Sequence, residues 1–148
     1  MYKFSQRSLD RLQGVHSQLV QIVHDAMAAQ IMDFAVHEGV RTLDRQKELV
    51  AAGKSRTMLS KHLIQSDGFA HAVDLYPSPI DMSVINNPSK SAGLYGKEVF
   101  RFGVLSGVML SAARRRGILL INGADWDGDG QTLDHTFFDA PHFQLALK

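Results

Sequence analysis

The N-terminal part of the chain repeats apolar residues at steps of three and four. This spacing predicts one amphipathic helix over residues 8 to 29. The repeating positions are Leu9, Leu12, His16, Leu19, Val23 and Met27. A second helix is predicted to start after Thr42, whose hydroxyl can cap it, and to run to about Ala52. A third, rich in apolar residues, is predicted over residues 95 to 116 and ends at Gly117.

Shorter apolar stretches bounded by turn-forming residues predict four strands. They cover residues 34 to 37, 69 to 75, 118 to 121 and 142 to 147. The second is expected to close at Tyr76-Pro77, and the segments 55 to 68, 78 to 93 and 125 to 139 are predicted to be irregular. Helices that flank a small, mostly antiparallel sheet make an α+β domain. We therefore predict one domain over residues 1 to 148, with its polar residues crowded at strand ends and in loops.

Composition restricts the chemistry that this domain can carry. The net charge of +1 is too small to indicate nucleic-acid binding, and no apolar run is long enough to insert into a membrane. No apolar segment typical of a signal peptide follows the first residues, which predicts a cytoplasmic product. The chain has no cysteine, so thiol nucleophiles and thiolate metal sites are excluded. A metal site would have to use histidines and carboxylates.

Three short stretches place such side chains at a strand edge or in the loop that leads into a strand. They are Ser60-Lys61-His62, Ala70-His71-Ala72-Val73-Asp74 and Asp139-Ala140-Pro141-His142. Two imidazoles and one carboxylate, with water in the fourth position, form an open catalytic zinc site. Because alternate residues of a strand share a face, Asp74 is predicted to point with Ala72, and His71 to point the other way. This favours His62 as the partner of Asp74 and leaves His71 as the alternative ligand.

The same stretches resemble the LAS group of zinc metallopeptidases. That group includes D-Ala-D-Ala carboxypeptidases and dipeptidases, phage L-alanyl-D-glutamate endopeptidases and the related hedgehog-type domains. Ser60-x-His62, Ala72-x-Asp74 and Asp139-x-x-His142 occur in the group's order. The resemblance extends from residue 34 to residue 145, because two further segments are similar to those of the group. These are Glu38-Gly39-Val40-Arg41-Thr42 with Gln46, and Gly123-Ala124-Asp125-Trp126.

The resemblance implies a role for each of these residues. His62, Asp74 and His142 would bind zinc, and Asp139 would be the general base. Arg41 would stabilise the oxyanion or hold a substrate carboxylate. Ser60 and Gln46 would position the substrate. The spacing between His62 and Asp74 is longer than in the group, which predicts an insertion at residues 64 to 69.

The activity implied by the resemblance is that of a phage endolysin. We expect a zinc-dependent hydrolase of the peptidoglycan stem peptide, with the L-alanyl-D-glutamate amide as the favoured bond and host cell lysis as the outcome. Such a monomer would remain in the host cytoplasm until a holin releases it to the cell wall. The alternatives are a D-Ala-D-Ala carboxypeptidase or dipeptidase and a non-catalytic wall-binding relative.

The acidic loop before the last strand resembles the opening of a calcium-binding loop. Asp125, Asp127 and Asp129 alternate and are followed by Gly130, and Asp134 is available as a further ligand. The closing glutamate of an EF-hand is absent. We therefore expect either a calcium site without flanking helices or a solvated turn.

Overall fold

The computed structural model describes residues 1–87 and 92–146, and within these ranges the chain forms five helices and a four-stranded sheet. The helices are α1 (Gln6–Arg11), α2 (Ser17–Ala28), α3 (Leu43–Ala51), α4 (Met82–Asn86) and α5 (Ala92–Arg115). The strands are β1 (Phe34–Glu38), β2 (Ala72–Pro77), β3 (Leu120–Gly123) and β4 (Asp139–Leu145). The predicted α+β class is confirmed. None of the helices in the described ranges is long and apolar enough to cross a membrane.

The strands follow the order β1-β2-β4-β3, and every neighbouring pair is antiparallel. One face of the sheet packs against α2 and α5 and carries the core. Its buried side chains are Phe34, Val36, Val73, Leu75, Leu120, Phe143 and Leu145. Because side chains alternate along a strand, Asp74 and His142 lie on the opposite face, where they are direct cross-strand partners. The core thus holds the two central strands in register beneath these polar residues.

The prediction of one helix over residues 8 to 29 is wrong, because the structure has two helices there. Residues after α1 turn through Gly14, whose φ is +80°, and a Cβ at that position would contact Val40. The His16 side chain then caps α2 by accepting the Gln18 N–H at 3.2 Å. Apolar spacing persists across the turn because Leu12 and Val15 pack in the same core as the apolar face of α2, so periodicity alone could not reveal the break.

The bounds of three strands differ by two or more residues from their predictions. β2 begins at Ala72 and continues through Tyr76 and Pro77, and β3 is displaced toward the C-terminus by two residues at each end. β4 begins at Asp139 despite Pro141, which cannot donate to a ladder. Asn122 Nδ2 compensates by donating to the carbonyl oxygens of Ala140 at 2.8 Å and His142 at 2.9 Å.

The segment from residue 78 to 93 is less irregular than predicted. It contains α4, which is capped by the Asp81 carboxylate and buries Val84, and the start of α5. One cap and one buried side chain suffice for so short a helix, and neither stands out in a sequence rich in proline and serine. Residues 88–91, together with residue 147 of the predicted last strand, lie outside the described residues.

Candidate metal centre and active-site cleft

His62, Asp74 and His142 meet in a compact triangle of possible ligand atoms. His62 Nε2 lies 3.1 Å from Asp74 Oδ1 and 3.2 Å from His142 Nδ1, and His142 Nδ1 lies 3.3 Å from the same carboxylate oxygen. Both histidines are buried, and the Asp74 side chain is 16% exposed. We predicted that the site would lie at strand ends, but Asp74 and His142 lie within their strands because β2 and β4 extend further than expected.

The hydrogen bonds behind the two imidazoles direct their lone pairs into this triangle. His62 Nδ1 lies 2.8 Å from the Gly39 carbonyl oxygen, which can only accept, so Nδ1 carries the proton. His142 Nε2 lies 2.9 Å from Gln144 Oε1, which assigns its proton in the same way. Two nitrogen lone pairs and a carboxylate oxygen therefore converge. Tetrahedral zinc, with ligand bonds of roughly 2.0–2.2 Å, places its ligand atoms about 3.3–3.6 Å apart. The separations of 3.1 to 3.3 Å are within a few tenths of an ångström of that range, and the donor types are those that zinc prefers.

The buried negative charge of Asp74 also favours a positive charge within the triangle. Burial opposes the charged carboxylate, but in the absence of a metal the hydrogen bonds and charges of protonated His142 and His62 hold the pKa of Asp74 well below its usual range. Burial likewise opposes a charged imidazole, but the hydrogen bond and charge of Asp74 raise the pKa of His142. A proton or a metal ion can supply that charge.

Residues 64 to 69, the predicted insertion between His62 and Asp74, form a closed loop that leaves the triangle intact. Ile64 and Ala70 form an antiparallel bridge, and the His71 N–H donates to the Lys61 carbonyl oxygen at 2.8 Å. Residues on the two sides of the insertion are therefore neighbours, as they would be with a shorter loop. This arrangement explains how a ligand twelve residues before Asp74 reaches it.

His71, the alternative ligand, lies in a different cluster. Its Nε2 is 2.7 Å from Asp67 Oδ2, and His16 Nε2 is 3.8 Å from the same oxygen. The hydrogen bond from His71 is the main cause that lowers the pKa of Asp67, which burial alone would raise. The structure therefore places His71 with the insertion loop and away from Asp74, as strand alternation predicts.

Arg41 lies beside the triangle with most of its donors already used. Its Nε and Nη2 donate to the two carboxylate oxygens of Glu38 at 2.5 and 2.9 Å. Its Nη1 donates to Gln46 Oε1 at 2.8 Å and lies 3.5 Å from Ser60 Oγ. Nη2 is also 3.8 Å from Asp74 Oδ2. Four of the five N–H groups are thus engaged, and the guanidinium holds its charge next to Asp74.

Gln46 and Ser60 both accept hydrogen bonds from Arg41 and so belong to the same network. Gln46 is fully buried, and its Nε2 donates to Ser55 Oγ and to the Thr57 carbonyl oxygen. Ser60 Oγ accepts the His62 N–H at 3.2 Å. Any effect of Gln46 on a substrate must therefore pass through Arg41 or through Ser55 and Thr57, which line the cleft. Ser60 shapes the backbone that presents His62.

Asp139 begins β4 and lines the same cleft as the triangle. Burial and the negative charge of Asp74 raise the pKa of Asp139 above its ordinary value, against the nearby histidines and Arg41. A raised pKa makes the carboxylate a better proton acceptor. Its neighbour Gly123 is required by close packing, because a Cβ there would overlap the Asp139 carbonyl oxygen.

The cleft has a volume of about 660 Å³ and includes residues to which the sequence assigned no role. The aromatic and basic residues among them are His37, Arg45, Lys54, Arg56, Lys61, Tyr76, Trp126 and Phe137. Gln144 could have been found, since it lies two residues after His142 and so shares its face. Glu38 precedes Arg41 by three residues, but nothing in its local pattern indicates that the two side chains pair.

The acidic loop brings several predicted calcium ligands together. One potential ligand atom from each of Asp127, Asp129 and Asp134 lies within 4.8 Å of the others. The Asp125 carboxylate instead accepts backbone N–H groups of residues 128, 129 and 130, at 2.9 to 3.2 Å. His135 Nε2 lies 3.4 Å from Asp127 Oδ1. Calcium binding stays a prediction.

Comparisons with known proteins find a matching family and a similar solved structure. The family model of the phage L-alanyl-D-glutamate peptidases matches residues 1–146. The crystal structure of the Serratia marcescens L-Ala D-Glu endopeptidase ChiX is similar, with a TM-score of 0.71 and 30% identity over 97% of this chain and 90% of that one. A comparison with curated proteins gives no match. The chain belongs to the phage L-alanyl-D-glutamate peptidase family.

Proposed function

We propose that this protein is a zinc-dependent endopeptidase that hydrolyses the L-alanyl-D-glutamate amide of peptidoglycan stem peptides. The observation that carries the proposal is the convergence of two imidazole lone pairs and one carboxylate in a cleft that also contains Asp139. The family match and the similar endopeptidase support this choice of bond. An intact donor set also argues against a non-catalytic wall-binding relative.

The chain's own residues divide the work of amide hydrolysis. His62, Asp74 and His142 would hold the zinc ion, which supplies Lewis-acid activation of water and of the amide carbonyl. Asp139 accepts a proton from the attacking water and delivers it to the departing amine. Arg41 keeps a positive charge beside Asp74 and orients the Asp74 carboxylate. The one N–H group of Arg41 that is not engaged leaves limited capacity for a substrate oxygen.

Mass analysis of digested muropeptides tests this function. We expect cleavage to expose a new N-terminal glutamate, to stop when a chelator removes the metal and to return when zinc is added. Release of terminal alanine would instead identify a D-Ala-D-Ala carboxypeptidase or dipeptidase. Cleavage that persists at full strength in metal-free protein would exclude a metallopeptidase.

The biological setting that we propose is phage-induced lysis of the host. The enzyme would act as a monomer on the cell wall after a holin has opened the membrane. Induced expression in a bacterial host, with and without a co-expressed holin, tests this. Lysis that needs the holin supports the proposal, and equally rapid lysis without it contradicts the release route.

We further propose that calcium binds the acidic loop through Asp127, Asp129 and Asp134. Because this loop leads into Asp139 and His142, an ion there would order the segment that carries them. We expect calcium to raise both the thermal midpoint and the activity of zinc-saturated enzyme. Replacement of Asp129 and Asp134 by asparagine should remove both effects. An unchanged rate and midpoint on calcium addition to the unaltered enzyme would dismiss the site.

A further inference from the structure

Of the three arginines that line the cleft, Arg56 has a guanidinium edge without a hydrogen-bond partner among the described residues. Arg56 lies in the loop after α3, with its Cζ 4.9 Å from the centroid of the Phe137 ring. Within residues 1–87 and 92–146, its side chain makes no hydrogen bond and no ion pair. Stacking occupies only the face of a guanidinium, so its in-plane N–H groups remain available as a fork for a carboxylate.

Phe137, the ring on which Arg56 stacks, is held in place by Trp126, and both residues line the cleft. The Trp126 ring stacks on Phe137 at 5.9 Å, and Trp126 Nε1 donates to the Phe137 carbonyl oxygen at 2.8 Å. The Trp126 ring also lies 5.3 Å from the His142 ring. A continuous row of rings therefore connects Arg56 to a residue of the metal triangle.

Arg41 is poorly suited to bind a substrate carboxylate in this structure. Glu38 already occupies the fork formed by its Nε and Nη2, and Gln46 takes Nη1. Arg45, another basic residue of the cleft, pairs with Glu48 at 3.1 Å. Lys54 and Lys61 also line the cleft and form no ion pair in the described part of the chain. The cleft thus contains three basic side chains, Lys54, Arg56 and Lys61, that have no acidic partner in the described part of the chain.

The proposed substrate carries a carboxylate whose negative charge is complementary to these basic side chains. A D-glutamyl residue extended through one of its carboxyl groups keeps the other one ionised, on the amine side of the scissile amide. We propose that Arg56, presented by the Phe137 ring, binds this free carboxylate and makes the enzyme selective for stem peptides in which it is not amidated. The inference rests on the proposed function and adds to it a residue that determines specificity.

Two matched synthetic peptides test the inference. Both contain the L-alanyl-D-glutamyl unit, one with its glutamyl carboxylate free and the other with that group as a carboxamide. We expect the enzyme to favour the carboxylate peptide in kcat/KM by roughly tenfold or more, as a charge-assisted bidentate contact allows. In Arg56→Gln this ratio should fall close to one, and Arg56→Lys should retain part of it. Arg114→Gln, an equal charge change at an exposed helix end, should keep the full ratio.

Binding of the same peptides to Asp139→Asn protein, measured by calorimetry, separates this inference from the proposed function. If that protein prefers the carboxylate peptide and loses the preference on adding Arg56→Gln, the inference holds whether or not the unaltered enzyme cleaves either peptide. A preference that survives Arg56→Gln overturns it. An equal loss in Arg114→Gln also overturns it, because bulk charge would then account for the selectivity.

Discussion

Replacement of Asp139 by asparagine is expected to lower kcat by about 10²–10⁴-fold, the range that a positioned general acid–base group contributes. Asparagine keeps the size of the side chain and can still accept a hydrogen bond, but it cannot take a proton from water. The burial and the Asp74 charge that raise the pKa of Asp139 make the native carboxylate effective in this step. Single-turnover cleavage of a defined muropeptide at saturating substrate measures the effect.

Two controls show whether the loss belongs to proton transfer. The zinc content of Asp139→Asn should equal that of the unaltered enzyme, because Asp139 is outside the metal triangle. Asp44→Asn removes the same charge from an exposed position in the first turn of α3 and should leave kcat unchanged. A kcat for Asp139→Asn within a few-fold of the unaltered value, at full zinc occupancy, would remove Asp139 from the proposed mechanism.

The candidate metal ligands were easier to predict from the sequence than the other residues of the cleft. Alternation along the strand predicted over residues 69 to 75 separates Asp74 from His71. In the structure β2 begins at Ala72, and these two side chains lie in different clusters. The resemblance supplied the order of motifs that brought Asp139 and Arg41 into consideration. These inferences rely on local periodicity and on motif order, and both can be read directly from a chain.

Features that depend on distant loops could not be predicted in this way. Arg56 and Phe137 lie in loops separated by most of the chain, and no periodic pattern links them. The break between α1 and α2 was hidden because Gly14 occurs within a continuous apolar spacing. The length of β4 depends on Asn122, a side chain from another strand that replaces ladder bonds near Pro141. In each case the decisive contact is tertiary.

The ligand set itself is tested by comparing His62→Ala with His71→Ala. His62→Ala removes a lone pair from the triangle, so we expect zinc affinity to fall more than about 100-fold, beyond the loss typical of an outer partner. Cleavage should be lost with it. His71→Ala should retain zinc and activity, because His71 pairs with Asp67 in the insertion loop. Chelator competition for zinc and muropeptide cleavage, measured on both variants, provide the comparison.

The two variants are well matched because each removes one buried imidazole that contacts one aspartate. A general loss of folding would therefore affect both, and thermal melting of each metal-free variant would detect it. Retention of zinc by His62→Ala together with its loss from His71→Ala would assign the ligand role to His71. That result would require the insertion loop to open, since the bridge between Ile64 and Ala70 now holds His71 beside Asp67. With that bridge intact, the backbone brings only His62 to Asp74 and His142.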